Sequence, residues 1–189
     1  MKFHRLSLCA VFILCGCVSR QHDHFYVLEA QPTGPAPSRS QFDRQVTLQV
    51  TVPSLVDRNE LVLATADGVA VLDHERWAAP LADLVTAALG QDIERRRNDV
   101  VVLPRSADRA GIPLMRIKVE IDRISARLGE SVTIETHWRV QGAARETVGR
   151  DTFVSPQQPR NYSEVASALS ACIALLADRL TAEISAANP

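Results

Sequence analysis

Few residues in this sequence have the types and spacing that chemistry requires. The run His22-Asp23-His24 offers imidazole and carboxylate groups that could ligate a metal ion, but an exposed polar segment accounts for it more simply. His74 and His137 are predicted to lie at the surface, the first after a strand and the second on the polar face of another strand. The motifs H-E-x-x-H, C-x-x-C, G-x-S-x-G and a glycine-rich phosphate loop are missing from the sequence. The chain is therefore predicted to be neither an enzyme nor a metal-binding protein.

The remaining candidate for chemistry is the thiol of Cys17, at the end of the first apolar stretch. Lys2 and Arg5 form a short positive start, and residues 6–14 follow as an apolar core. This is the layout of a secretory signal peptide. A transmembrane helix needs about 20 apolar residues, so the stretch is too short to remain in a bilayer. We expect residues 1–16 to be a cleaved signal peptide.

The residues around the cleavage point resemble the lipobox of bacterial lipoproteins, with Leu14, Gly16 and Cys17 at the matching places. In such proteins the cysteine thiol is joined to diacylglycerol and the new amino terminus is acylated. The resemblance implies that Cys17 carries these covalent lipids and that the chain needs no other cofactor. Cys15 departs from the pattern, because a small residue such as alanine is usual there. The alternatives are an ordinary cleaved signal, or a buried apolar helix with incidental cysteines.

Cleavage and lipidation would leave Cys172 as the single unmodified cysteine of the mature chain. It would have no partner for an intramolecular disulfide. Its place in the apolar stripe of the last helix predicts a small buried side chain and not a reactive thiol. Residues 17–23 then form a lipidated tether, and residues 24–189 form a single domain that is long enough to bury a core.

Charge and tether length indicate where the domain works. The net charge is −1, and no basic patch points to nucleic acid. Arg95-Arg96-Arg97 falls at the predicted end of a helix, where cations favour the helix dipole; contact with anionic lipid head groups is the alternative. Six residues separate Cys17 from His24 and reach at most about 20–25 Å, so the domain is held close to its membrane. No aspartate follows the cysteine at Val18 or Ser19, which in lipoproteins favours the periplasmic side of the outer membrane over the inner membrane.

Apolar periodicity predicts the elements that must position these residues. Alternation predicts strands at 24–30, 46–52, 60–65, 69–73, 99–104, 113–125, 131–140 and 146–154. A proline in the first turn and an apolar stripe predict a helix over residues 80–96, and the pair Asn161 and Glu164 predicts a capped helix that runs to the C-terminus. Two amphipathic helices packed on one face of a mostly antiparallel sheet satisfy every apolar stripe, so the predicted class is α+β.

Four segments occur in an order that resembles a known family. They are FYVL at 25–28, VTVPSLVDRNELVL at 50–63, RWAAPLADLVTAAL at 76–89 and a long C-terminal helix that Tyr162 opens. Together with the lipobox they look like the ABC-type transport auxiliary lipoproteins, the PqiC-like family. The positions that match its pattern are Pro53, Asp57, Arg58, Trp77, Pro80 and Leu81. Leu55-Val56, Asn59 and Ala79 depart from it, where the family has an aromatic residue with leucine, a proline and an acidic residue.

The resemblance implies a non-catalytic auxiliary protein of an intermembrane lipid-transport system. In such systems an MCE-domain protein reaches across the periplasm from a permease or ABC transporter, and the lipoprotein receives or caps its far end at the outer membrane. The expected cargo is phospholipid or another hydrophobic molecule. A homo-oligomer is compatible with this role.

Pro53, Asp57, Arg58, Trp77 and Pro80 are the predicted partner-binding residues or the support of that surface. A proline-ended strand presents an ordered loop, and a tryptophan at a helix start can anchor an interface. The alternative is structural, with Trp77 packed in the core and Asp57 paired with Arg58. A second function also stays open, that of a structural or assembly lipoprotein that supports an outer-membrane barrel, as LptE-like proteins do.

Overall fold

The computed structural model of the chain describes residues 22–31, 44–103 and 114–187. The predicted signal peptide, Cys17 and most of the predicted tether lie outside these residues. The described elements are β1 His24–Tyr26, β2 Arg44–Thr51, β3 Glu60–Thr65, β4 Gly68–Trp77, α1 Leu81–Arg96, β5 Val100–Leu103, β6 Leu114–Ser125, β7 Thr133–Gln141, β8 Glu146–Val154 and α2 Tyr162–Ala187. The predicted α+β class is confirmed. β1 is shorter than predicted, and β4 is longer, so that His74 lies within the strand.

The strands divide between two mixed, mostly antiparallel sheets. The larger has the order β5-β2-β6-β7-β8, in which β2 is parallel to both of its neighbours and β6, β7 and β8 form an antiparallel meander. The smaller has the order β1-β4-β3, with β1 parallel to β4. β3 and β4 form a hairpin, which turns at Ala66-Asp67. Gly68 after the turn has φ of +150°, which L side chains rarely adopt.

The core lies between the helices and the face of the large sheet that they cover. On β6 the alternate residues Met115, Ile117, Val119 and Ile121 are buried, as their period of two predicts. β7 repeats the pattern with Ile134, Thr136, Trp138 and Val140. The opposite face of this sheet is mostly polar, although Val148 and Val154 are exposed on β8.

α2 begins as predicted, since the Asn161 side chain accepts a hydrogen bond from the Glu164 backbone N–H at 2.9 Å. By length and composition residues 162–186 could cross a membrane, but most of this stretch is buried in the domain, as in the core helix of a soluble protein. Cys172 lies in the buried stripe, and its Sγ is 3.4 Å from the Val132 carbonyl. Burial raises the pKa of its thiol to about 12.

A buried ion pair fastens the segment after β1 to both helices. Asp92 is fully buried on α1, and its Oδ1 accepts bonds from the Gln31 backbone N–H at 3.0 Å and from Arg96 Nη1 at 2.9 Å. Arg96 also donates to Asp178 of α2 at 2.5 Å. Burial raises the pKa of Asp92, and the bond from Arg96 opposes that rise. Arg95 binds the Ala30 carbonyl and Arg97 binds Asp99, so all three arginines of the predicted helix end have partners within the domain.

Candidate partner-docking site

The loop between β2 and β3 has a defined shape because it is closed by its own backbone. Val56 and Asp57 both donate to the Pro53 carbonyl, at 2.9 and 3.0 Å, and Arg58 donates to the Val56 carbonyl at 2.9 Å. Proline has no N–H to extend the ladder, so β2 ends just before it, at Thr51. The central residues of the turn, Ser54 and Leu55, are exposed to solvent. We call residues 53–58 the docking loop.

Asp57 joins the docking loop to the start of α1. Pro80, the residue before the helix, gives it no side-chain cap. Asp57 Oδ1 instead accepts a hydrogen bond from the Ala82 backbone N–H at 3.1 Å. A carboxylate at a helix N-terminus satisfies an otherwise unpaired donor and complements the helix dipole. The exposed Pro80 is thereby held beside the loop.

Arg58 is exposed and makes its contact with Glu60 at the start of β3, where Nε donates to Oε2 at 2.9 Å. Arg76 approaches the other oxygen of Glu60 at 3.7 Å. The hydrogen bond from Arg58 holds the pKa of Glu60 below its usual range. The structural alternative had Asp57 paired with Arg58. In the structure Asp57 instead accepts a bond from α1, and Arg58 donates a bond to β3.

Trp77 lies in the core and is 4% exposed. Its backbone N–H donates to the Asn59 carbonyl at 2.6 Å, which ties the end of β4 to the end of the docking loop. The structure thus brings the five predicted residues into one region. Asp57, Arg58 and Pro80 face solvent and Pro53 is partly buried, while Trp77 supports the region from below. Which of them contact a partner stays a prediction.

Leu55 is the residue that sequence reasoning undervalued. Its side chain is 51% exposed at the tip of the docking loop, where water is a poor environment for leucine. It stands in the segment where the family places an aromatic residue with leucine, which was the available signal. An exposed apolar residue on a rigid loop is a suitable anchor for a partner's pocket.

Three of the predicted histidines, His24, His74 and His137, lie beside carboxylates at the surface. Asp23 accepts from His74 at 3.0 Å and lies 3.3 Å from Arg76, and its pKa is lowered chiefly by the bond with His74. His24 Nδ1 is 3.1 Å from Glu75 Oε1, and His137 Nδ1 is 2.6 Å from Asp122 Oδ2. Among the described residues no group of three or more His, Cys, Asp or Glu side chains could hold a metal ion.

A cavity among the described residues lies away from the docking loop, on the uncovered face of the large sheet. It is a wide depression of about 800 Å³ that is lined by both positive and negative side chains. The charged lining residues are Arg116, Lys118, Glu120, Arg139 and Glu146. It is a solvated sheet face.

Comparison with known proteins identifies the family of this domain. The model of a family described as the ABC-type transport auxiliary lipoprotein component matches residues 26–181. The chain belongs to this family. The resemblance predicted from the sequence is confirmed, and with it an auxiliary, membrane-anchored role in ABC-type transport. Membership in the auxiliary lipoprotein family indicates no catalytic role.

Solved structures share the fold of this auxiliary lipoprotein. A crystal structure of an uncharacterized protein superimposes with a TM-score of 0.69 at 19% identity, covering 87% of this chain and 99% of the other. The crystal structure of protein XCC0632 from Xanthomonas campestris gives a TM-score of 0.61 at 14% identity, covering 84% and 91%. At such identities the likeness shows the fold alone. No curated protein matches the chain.

Proposed function

We propose that this auxiliary lipoprotein is anchored by lipids on Cys17 to the periplasmic side of the outer membrane and docks an MCE-domain protein there. The partner would be the periplasmic bridge of an ABC-type system that moves phospholipid or another hydrophobic molecule between membranes. The lipoprotein performs no bond chemistry. It holds the end of the bridge in place.

The observation that carries this proposal is the family match, which extends over the domain. In support, the family-like residues Pro53, Asp57, Arg58 and Pro80 come together in one ordered region, with Trp77 buried beneath them. The loop bonds to the Pro53 carbonyl, the bond from Asp57 to α1 and the bond from Trp77 to Asn59 fix its backbone before a partner arrives. A preorganised loop loses little conformational entropy on binding, so more of the contact energy appears as affinity.

The exposed groups of the docking loop indicate the kind of surface that it fits. Leu55 offers an apolar anchor, and Arg58 beside it offers a cation that Glu60 partly neutralises. A complementary partner would present an apolar pocket with an acidic rim. The tether supports a docking role near the membrane, because a chain of six residues keeps the domain close to its leaflet.

Affinity purification from native membranes tests the function. The full-length protein with a C-terminal tag is extracted in mild detergent, and its companions are identified by mass spectrometry. We expect an MCE-domain protein together with its permease or ATPase. Recovery of an outer-membrane barrel protein in their place would contradict the proposal and favour an assembly role.

A further inference from the structure

The β3–β4 hairpin has an apolar outer face that no other described element covers. Its inner residues, Leu61 and Leu63, are buried in the core. Its outer face consists of the cross-strand pairs Val62 with Val71 and Ala64 with Val69. Val69 is 49% exposed and Val71 is 38% exposed. Water-facing positions of a hairpin are normally polar, so a run of apolar pairs indicates an interaction surface.

Chain direction aims the start of the described chain at the hairpin. β1 runs parallel to β4, with His24 beside Glu75 and Tyr26 beside Trp77. Just ahead of β1, Asp23 binds His74 at 3.0 Å. Because the strands are parallel, the chain from Tyr26 back to Asp23 follows β4 in the direction of Gly68 and the hairpin turn.

The distance from the domain to Cys17 is limited by chain length. Five residues lead from His22 back to Cys17 and span at most about 17–18 Å when fully extended. The stretch of β4 from Asp73 to Gly68 spans about 17 Å. The maximum reach of the tether is therefore about equal to the part of the hairpin that extends beyond β1, so a bilayer that holds acyl chains on Cys17 would come within reach of the hairpin turn.

We propose that the β3–β4 hairpin rests on the bilayer surface through Val62, Ala64, Val69 and Val71 and orients the domain on its membrane. This inference relies on the proposed lipid anchor at Cys17. Asp67 is the one charged residue between Leu61 and Leu72, so the contact is made by apolar side chains at the head-group boundary and not by attraction to anionic lipid.

A neighbouring turn stiffens and widens this surface. The Ala64 backbone N–H donates to the Ala126 carbonyl at 2.8 Å, and Arg127 Nη2 donates to the Thr65 carbonyl at 2.9 Å. The turn between β6 and β7 is thereby held beside the hairpin. Its Leu128 is 39% exposed and adds a further apolar side chain at the same end. The docking loop lies at the base of the hairpin, roughly 20 Å from the turn by the length of β3.

A dye placed at the hairpin turn tests the contact. Full-length lipidated protein carrying Asp67→Cys is labelled with a nitrobenzoxadiazole dye and reconstituted into vesicles of phosphatidylethanolamine and phosphatidylglycerol. Cys172 does not compete for the label because it is buried with a raised pKa, and the thiol of Cys17 is consumed by the lipid. The matched control carries the dye at Ala144→Cys, an exposed position in the turn between β7 and β8 at the other end of the large sheet.

We expect emission from position 67 to move to shorter wavelength in vesicles and to be lost when doxyl-labelled phosphatidylcholine is included, with neither change at position 144. The added pair Val69→Asp and Val71→Asp should abolish the quenching at 67 while the protein still floats with the vesicles.

Unquenched dye at 67 on floating protein would overturn the hairpin contact and leave the lipid anchor standing. Dye already shielded in detergent and unaffected by doxyl lipid would show that protein covers the hairpin, which also overturns it. Protein that fails to float would overturn the anchor and the contact together.

Discussion

Side-chain exposure distinguishes the docking-loop residues that can contact a partner from the residues that support the loop. Trp77, an obvious interface candidate by residue type, is a core residue, whereas the inconspicuous Leu55 is half exposed on a loop whose backbone is closed by hydrogen bonds. Asp57 is committed to capping α1. Contact with a partner should therefore depend most on Leu55 and Arg58, and support of the loop on Asp57 and Trp77.

Replacement of Leu55 by aspartate should weaken binding of the MCE-domain partner at least about tenfold, because it removes an apolar anchor and places a charge in the interface. The free energy of unfolding should change by less than about 0.5 kcal/mol, since the side chain is exposed. Binding measured by biolayer interferometry, alongside thermal unfolding, checks both.

Leu175→Asp is the matched control for that variant, because Leu175 is an exposed leucine of α2 at 39%. It should bind as the unaltered protein does. Equal weakening by both variants would show that the docking loop has no special part in binding.

Cys172 should be inert in the folded protein. The pKa of its thiol is raised from 9.0 to about 12, so the thiolate that reacts with iodoacetamide is scarce below pH 10. Mass spectrometry should find no alkylation of Cys172 at pH 8 in buffer and full alkylation in concentrated urea. The folded state keeps this proton to higher pH than the unfolded chain does, so the contribution of Cys172 to stability is complete below pH 9 and declines as pH rises towards 12. Rapid alkylation of folded protein would contradict the buried placement.

Elements are held together by a few close contacts that tolerate little change. Trp138 of β7 lies across Gly149 of β8, and its indole N–H donates to Asp151 at 2.6 Å. The Arg179 guanidinium of α2 sits 5.0 Å from the ring centroid. The ring is thus held between an edge strand and the long helix, which explains why a glycine occurs in the middle of β8.

Gly149→Ala should destabilise the protein by about 1–3 kcal/mol, because the new Cβ would lie within 2.1 Å of a Trp138 ring carbon. The melting temperature should fall by about 2–4 °C for each kcal/mol. Thr152→Ala, an exposed position on the same strand, should leave it nearly unchanged. An unaltered melting temperature in Gly149→Ala would show that the ring lies elsewhere.

The ion pair between Asp92 and Arg96 should be a second point of sensitivity. Asp92→Ala removes the inner partner of the nearly buried Arg96 and the carboxylate that accepts from the Gln31 N–H, at a cost of about 3 kcal/mol. Asp178, the outer partner of the same arginine, has a side chain that is 52% exposed. Asp178→Ala should therefore cost less than about 1 kcal/mol. Urea unfolding measures both values, and equal losses would contradict the assigned difference in burial.

At the scale of the whole molecule, the sequence sufficed for the class and the helices but not for the assembly of the strands. The stripe of α2 and the alternation of β6 and β7 are local patterns, so periodicity predicted them. The division into two sheets depends on pairings between distant segments, such as β1 with β4, which leave no local trace. The cap of α1 by Asp57 and the bond from Gln31 to Asp92 were missed for the same reason.

The two proposals together give the molecule a membrane end and a docking region. The hairpin turn and the turn after β6 lie together at one end, which is the proposed membrane end, and the docking loop lies at the base of the hairpin. Such an order would let the domain lie on the leaflet while its loop holds a partner that comes from the periplasm. The polar face of the large sheet stays free in this arrangement.

Crosslinking from the docking loop in living cells tests the central claim most directly. A photoreactive amino acid in place of Leu55 is activated in cells that produce the full-length protein at native levels, and the crosslinked product is identified by mass spectrometry. We predict an MCE-domain protein. Crosslinks to an outer-membrane barrel protein, or none when the MCE-domain protein is present, would contradict the docking role.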